Sequence, residues 1–356
     1  MAKYLALILV LIAVLFVGCG GERDGKKEAK VMYAKYLAPT GNTTDRTADI
    51  QAMLSSTGVC HLGAGDFYVS GIDVPTGATL DGCGNATRVH LLDSVTDGCA
   101  VKLNQNSTLK DVRLIGSDSP ITLSETVGTR HGILWEGNAN GDKDSIPYRG
   151  TISNVFIMRF NGGGITCYNT GYGTAGLNVS DCHITGCNAA INISYWSEYH
   201  RFTNVNATYN YYGCINNGGN NMFVNCNFSS NKMGMLMDNS QGQSRNNTHG
   251  SAVGCTFNHT DRNTGIGIKV LNCKNGFIFD GCQIFFSQIN LQNSAGIVVS
   301  NTNFGAKNCN ITVLDGGIVL FNGNMHQSAP DITITNNTHV VFENCYVRGT
   351  GAVVQP

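Results

Sequence analysis

Six residues, Phe223-Val224-Asn225-Cys226-Asn227-Phe228, return in altered form down most of this chain. Close copies are Val179-Ser180-Asp181-Cys182-His183-Ile184, Phe279-Asp280-Gly281-Cys282-Gln283-Ile284 and Phe342-Glu343-Asn344-Cys345-Tyr346-Val347. With the first residue of the central pair as anchor, the copies fall at Asn154, Asp181, Asn204, Asn225, Gly254, Gly281, Asn301, Asn322 and Asn344. A self-similar period of roughly 20 to 30 residues marks a solenoid, in which each repeat buries its apolar side against its neighbours.

Apolar residues stand two before the anchor (Ile152, Val179, Phe202, Phe223, Phe279, Val299, Leu320, Phe342) and again one and three after it. Each flank therefore has the period of two expected of a strand. The phase slips by one at the anchor, so the chain turns a corner there while both strands keep their apolar side inward. Asn, Asp and Gly hold that place because they tolerate a left-handed backbone. A further strand aligns independently, with Ile165, Ile191, Cys214, Met235, Ile266, Ile289 and Ile311 in one inward column. Its second column is Cys167, Ile193, Met237, Ile268, Leu291 and Val313. Corners without helices bring successive strands into parallel pairing by coiling. The expected fold is all-β, a parallel β-helix of about eleven turns, with Gly82 and Asp111 as two earlier anchors, and roughly 50 Å length at the ~4.8 Å strand spacing.

The chain before the repeats has its own logic. Lys3 and an apolar run from Leu5 to Val17 precede Gly18-Cys19, which describes an export signal. The expected division is a lipoprotein signal peptide over 1–18, a polar tether over 19–38 and a β-helix domain over 39–356. Cys19 behind Val17-Gly18 resembles the lipoprotein box, which implies Cys19 as the lipidation site and an exported, membrane-anchored lipoprotein at the cell surface. The competing reading is an uncleaved single span. From Thr43 to Leu54 the pattern predicts a helix with Ile50, Met53 and Leu54 on one face, capped by Thr44 or Asp45. Such a helix closes the open apolar end of a solenoid. Between Gly116 and Arg149 the repeat is interrupted, with His131–Glu136 expected as the strand of a missing turn.

That acidic-threonine helix, Gly65-Asp66-Phe67-Tyr68 and Leu80-Asp81-Gly82-Cys83-Gly84 resemble the entry module of the pectate-lyase superfamily. The superfamily includes polygalacturonases, rhamnogalacturonase-like enzymes and phage tailspikes. Asn247-Thr248-His249-Gly250-Ser251 and Gly281-Cys282-Gln283-Ile284-Phe285 are similar to repeats of phage tail proteins. The resemblance spans roughly residues 40 to 354 and implies a right-handed, single-stranded parallel β-helix of the pectin-lyase type. It also implies polysaccharide as partner, a homotrimer as a possible assembly, and a phage virion as the alternative location. Calcium enters only if the chain is a lyase; otherwise no cofactor or metal is implied.

Fourteen cysteines in an exported chain would suggest disulfides. Cys182, Cys226, Cys255, Cys282 and Cys345 share one inward column, however, so they read better as a ladder of small buried hydrophobes. Charged residues are only 13% and the net charge is −1, which leaves no footprint for nucleic acid.

The polygalacturonase pattern is broken, because no Asp-Asp pair occurs anywhere. On the further strand the expected outward positions include Tyr168, Asn192, Asn217, Asp238 and Lys269, and only the last two are charged. Asp238 is the candidate acid, Asp261 its candidate partner (with Glu198 and Glu136 as other loop carboxylates), Lys269 an electrostatic stabiliser and His249 a further catalytic candidate. Tyr168, Asn192, Trp196, Asn217, Arg245 and His259 are the candidate substrate-binding residues. Tyr195 and Tyr199 join Trp196 as rings that either stack on sugars or pack over a corner. Three functions compete: polysaccharide binding as an adhesin or tailspike-like receptor binder, polysaccharide hydrolysis or lysis, and a structural spacer or tail-like subunit. For the last, outward Ile215, Leu236 and Leu314 are the expected packing surface.

Overall fold

The computed structural model describes residues 36–136, 148–168, 173–240, 248–258, 265–305, 309, 311–326, 332–335 and 339–347. Each turn lays strands on three parallel faces. Face 1 carries the strands before the corner, face 2 the strands after it, and face 3 is an 11-stranded sheet. The coil is a right-handed parallel β-helix, the hand that crossovers between parallel strands take.

The core is made of stacked columns. On face 1, Cys60, Leu80, Leu109, Ile152, Val179, Phe202, Phe223, Ala252, Phe279, Val299, Phe321 and Phe342 lie in register from strand to strand. All are buried. Phe202 stacks on Phe223 at 5.1 Å and Phe321 on Phe342 at 4.9 Å. Each ring thus fills the gap above its predecessor, and dispersion contacts accumulate along the axis. The cysteines of the corner column are unbonded. Burial pushes the thiols of Cys182 and Cys187 up to about 12, which keeps them inert.

At the corner, Asp111, Asn154, Asp181, Asn204, Asn225, Asn301 and Asn344 adopt φ between 48 and 56°. Their side chains chain the turns together. Asn154 Nδ2 donates to Asp111 Oδ1 at 2.7 Å, and Asn204 Nδ2 to Asp181 Oδ1 at 3.2 Å.

Several details depart from the sequence reading. In one late turn the left-handed residue is Gly323 (φ 63°), not Asn322, and Phe321 rather than Leu320 points inward. Gly82 lies opposite Asp111 but is not left-handed; a Cβ there would meet Asp111 O at 2.7 Å, so close approach explains the glycine. On face 3, Met235 pairs with Ile268, and Ile268 with Ile289. Ile266 lies opposite Met233 and so falls two residues short of the Met235 column, and Val270 rather than Ile268 stands opposite Met237; the pairing with the next strand adds a bulge between Ile266 and Ile268. No turn is missing between Asp111 and Asn154, because their strands pair directly. His131–Glu136 lies within the strand Arg130–Glu136, which belongs to that single long turn. Part of the inserted loop folds back, with Ser124 N donating to Asn188 Oδ1 and Asn188 Nδ2 to Thr126 O.

That loop also corrects the expected packing surface. Ile215 and Leu236 are not a bare apolar face; they form a small outer cluster with Ala189, Tyr212, Met233 and Val127. The exposed apolar column lies instead on face 1, where Met222, Ile278 and Val341 are 40, 45 and 39% exposed.

The helix spans Thr47–Thr57, later than expected, and buries Ile50 and Leu54 against the first strands. Asp45 Oδ1 accepts from Thr47 N–H at its start, and Gly58 ends it in the left-handed conformation. Strand structure begins at Tyr36–Leu37, which pairs with His61–Leu62, just inside the expected tether. Cys19 and the rest of 1–35 lie outside the described residues. Among the described residues no helix is long and apolar enough to cross a membrane.

Candidate functional site

The strands of face 3 place the sequence-predicted residues in two outward columns. Thr166, Asn192, Ile215, Leu236 and Lys269 form the first, so Asn192 and Lys269 stand three strands apart with apolar residues between them. The second runs along the edge of the sheet through Tyr168, Ser194, Asn217 and Asp238. Ser194 N donates to Cys167 O, Asn217 N to Ile193 O, and Asp238 N to Asn217 Oδ1 at 2.9 Å. Asp238 Oδ1 accepts from Ser240 N at 2.7 Å and from the Ser240 hydroxyl, so that carboxylate also ties down its own turn. Lys269 lies opposite Leu236 while Asp238 lies opposite Leu271. One strand and two residues of offset separate the two backbones by ~8 Å. Asp261, Arg245 and His259 lie outside the described residues.

Beyond this edge the chain turns from face 3 to face 1 through a second, irregular corner. Trp196 and Tyr199 adopt φ of 63 and 59° there, a conformation that costs a bulky residue about 1–3 kcal/mol. The turn is held because Glu198 N donates to Thr174 O and Tyr199 N to Gly219 O. Its rings face out: Tyr199 is 58%, Tyr168 48% and Tyr195 37% exposed, and Tyr195 meets Trp196 edge-on at 6.0 Å. Beneath them the interior is polar. His200 is fully buried, with Nδ1 accepting from Leu177 N and Nε2 3.1 Å from Thr174 Oγ1. Since Nδ1 is an acceptor, Nε2 carries the proton and the ring is neutral; burial lowers its pKa to about 3.

Gly219 brings two chemically useful groups together. A Cβ at Gly219 would lie 2.6 Å from His249 Cε1 and 3.1 Å from Glu198 Oε1. The imidazole and the carboxylate therefore both border the space that the missing side chain leaves. Asn220 Nδ2 approaches Glu198 Oε2 at 3.4 Å. His249 was legible in the sequence as a candidate; its setting opposite Glu198 was not, and the Gly218-Gly219 doublet is the signal that carried it. Among the described residues no three His, Cys, Asp or Glu side chains converge as a metal site.

A second constellation, on face 2, was missed entirely. Arg88 grips Asp66 through Nε and Nη2 at 2.5 and 2.7 Å, holding the Asp66 carboxyl down at about 2. His90 bridges Asp66 and Asp118, and its ring stacks on Tyr68 at 4.6 Å. Further along, Arg113 sits over Phe156, and Phe156 stacks on His183, each at 4.7 Å. Asp66-x-Tyr68 and Arg88-x-His90, one turn apart, were the available signal.

No family model matches the chain, and no curated protein does. Solved structures do. The tailspike of Escherichia coli bacteriophage HK620, solved in complex with a pentasaccharide, superposes with a TM-score of 0.57 at 12% identity, over 86% of this chain and 64% of that one. Tailspike protein 2 of an Escherichia coli O157:H7 bacteriophage gives 0.59 at 16%, over 86% of this chain and 46% of that one. The A-module of Azotobacter vinelandii mannuronan C-5 epimerase AlgE4 gives 0.50 at 14%, over 89% and 97%. The chain thus spans less than two thirds of either tailspike and nearly all of the epimerase module. These likenesses show the fold, a right-handed parallel β-helix shared with tailspikes and the epimerase module.

Proposed function

We propose that this chain is an exported, surface-anchored β-helix that binds polysaccharide, as an adhesin or a tailspike-like receptor binder. The observation that carries this reading is the exposed trio Tyr168, Tyr195 and Tyr199 beside the polar edge Ser194, Asn217 and Asp238. A long polymer stacks its rings on such aromatics and bonds to such amides without needing a deep pocket. The likeness to a tailspike complexed with a pentasaccharide and to a mannuronan epimerase supports a glycan polymer as the partner. Anchoring rests on Cys19 as the lipidated first residue; mass spectrometry of the mature N-terminus tests it, and an intact Met1 contradicts it.

Two other readings have an observation each. Glu198 and His249 across Gly219 favour a polysaccharide-degrading hydrolase or lyase, since a carboxylate and an imidazole are the usual proton-transfer groups. The bare apolar column on face 1 favours self-association, with a homotrimer as the expected form. Screening the full chain against a panel of polysaccharides, for binding and for new reducing or unsaturated ends, separates binder from enzyme. Trp196→Ala weakens binding in either case. Asp238→Asn keeps binding and, if the protein is an enzyme, abolishes turnover. Wild-type behaviour from both variants on the true polymer contradicts the site.

A further inference from the structure

At the helix end of face 2, around the Asp66–Arg88–His90 network, lies an open cavity of about 300 Å³. We propose that it binds a single uncharged sugar ring, at a site separate from the aromatic edge on face 3. The floor is apolar: Leu91 and Ile115 are nearly fully buried, and Leu92 lies beside them. One wall is the Tyr68 side chain, whose ring is stacked on by His90 and whose hydroxyl is the polar end. Burial, followed by the charges of Asp118 and Asp66, raises the Tyr68 pKa, so its hydroxyl stays a donor. Ser94, Ser117 and the carboxylates of Asp93 and Asp118 line the rest. The Asp93 and Asp118 side chains remain 85 and 69% exposed, so both reach a ligand entering from solvent.

This mix selects the ligand by charge and size. The nearby cations are engaged by protein groups, and Arg130 Nη2 lies 3.7 Å from Asp93 Oδ1 at the rim. Arg88 is forked onto Asp66. Arg130 Nη2 donates to Leu91 O and Leu92 O, and Arg159 Nη1 to Asp118 O. Among the described residues no lysine or arginine lines the cavity, so a sugar carboxylate would meet Asp93 and Asp118, which already hold Arg130 and His90 as partners, with no cation of its own to pair with. Neutral hydroxyls, in contrast, donate to those carboxylates while the ring's C–H face lies on Leu91 and Ile115. The volume sits at the lower end of the range for small-molecule sites, about 300–1,000 Å³, which suits one ring rather than a chain. His90 is the positioning residue: its ring nitrogens lie 2.9 Å from Asp66 Oδ1 and 2.9 Å from Asp118 Oδ1, fixing where the Asp118 carboxylate points.

The test is a titration of the full chain with methyl glucoside, methyl galactoside and methyl glucuronide, read by ligand-observed NMR. At least one neutral glycoside should saturate, with the glucuronide at least about tenfold weaker. Ser117→Phe, which places a ring in the cavity while leaving the Asp66, Arg88 and His90 side chains themselves unchanged, should remove saturable binding, and the isosteric Asp118→Asn should weaken it by about tenfold. Tyr168→Ala on face 3 should leave it unchanged, which separates failure of this site from failure of the polymer-binding reading. Saturation by no neutral glycoside, preference for the glucuronide, or binding lost in Tyr168→Ala yet kept in Ser117→Phe overturns the proposal.

Discussion

Two of the three corners in each turn follow opposite rules. The corner between faces 1 and 2 repeats almost unchanged: one left-handed Asn, Asp or Gly, then a buried small residue, then an inward strand. The corner between faces 3 and 1 repeats a left-handed Asn or Asp in the late turns (Asn272, Asn293, Asp315) but varies in the earlier ones, and it breaks local preference where it is most elaborate. There Trp196 and Tyr199 take the left-handed conformation that asparagine takes at the first corner. There too the interior holds Asn216, Asn221, Thr174 and His200 in place of Phe and Cys. The regular corner makes the scaffold, and the irregular one carries strain and polarity that stability alone does not explain.

Mutations can break that contrast. The largest effect belongs to the regular side: Phe279→Ala opens a cavity in the column and should lower unfolding free energy by about 3–5 kcal/mol in denaturant titration. An equal loss without a cavity, or none at all, would undo the column assignment. Next comes acid sensitivity of the irregular corner. His200 is held neutral, with its pKa lowered from 6.5 to about 3. The unfolded chain therefore binds a proton below pH 6.5 that the folded chain does not. Stability is full above pH 6.5 and falls by about 1.4 kcal/mol per unit as pH drops toward 3. His200→Gln should flatten that slope in thermal melts between pH 6.5 and 4. At the regular corner, Asn225→Ala removes a residue suited to φ of 52° and should cost about 1–2 kcal/mol. Tyr199→Gly makes the sharpest contrast: at nearly the same φ it should change stability by under about 1 kcal/mol, toward greater stability, while lowering affinity for the polymer.

What was legible follows the same division. The face 1 columns and the left-handed anchors were readable because one physical demand recurs in every turn, so each copy corrects the others. The errors fell where a copy deviates: Gly323 displaces Asn322 by one residue, and Ile268 takes the column place expected of Ile266, two residues away. The site was only partly readable. Tyr168, Asn217 and Asp238 share an edge because strand alternation places them there, and alternation is visible in sequence. The meeting of Glu198 and His249, 51 positions apart in the numbering, depends on corner lengths and on an absent side chain at Gly219. The Asp66–Arg88–His90–Asp118 network depends on which turns stack before the repeat becomes regular, and no copy elsewhere reveals it.

The central claim, that the irregular corner and its adjoining face 3 edge form the polymer-binding surface, is tested most directly by hydrogen exchange with and without the polysaccharide that the panel identifies. Binding there predicts added protection of amides around Ser194–Tyr199 and Asn216–Asn221, with none at Asp181, Asn204 and Asn225. Protection at those three regular corners, with the irregular one unchanged, would contradict it.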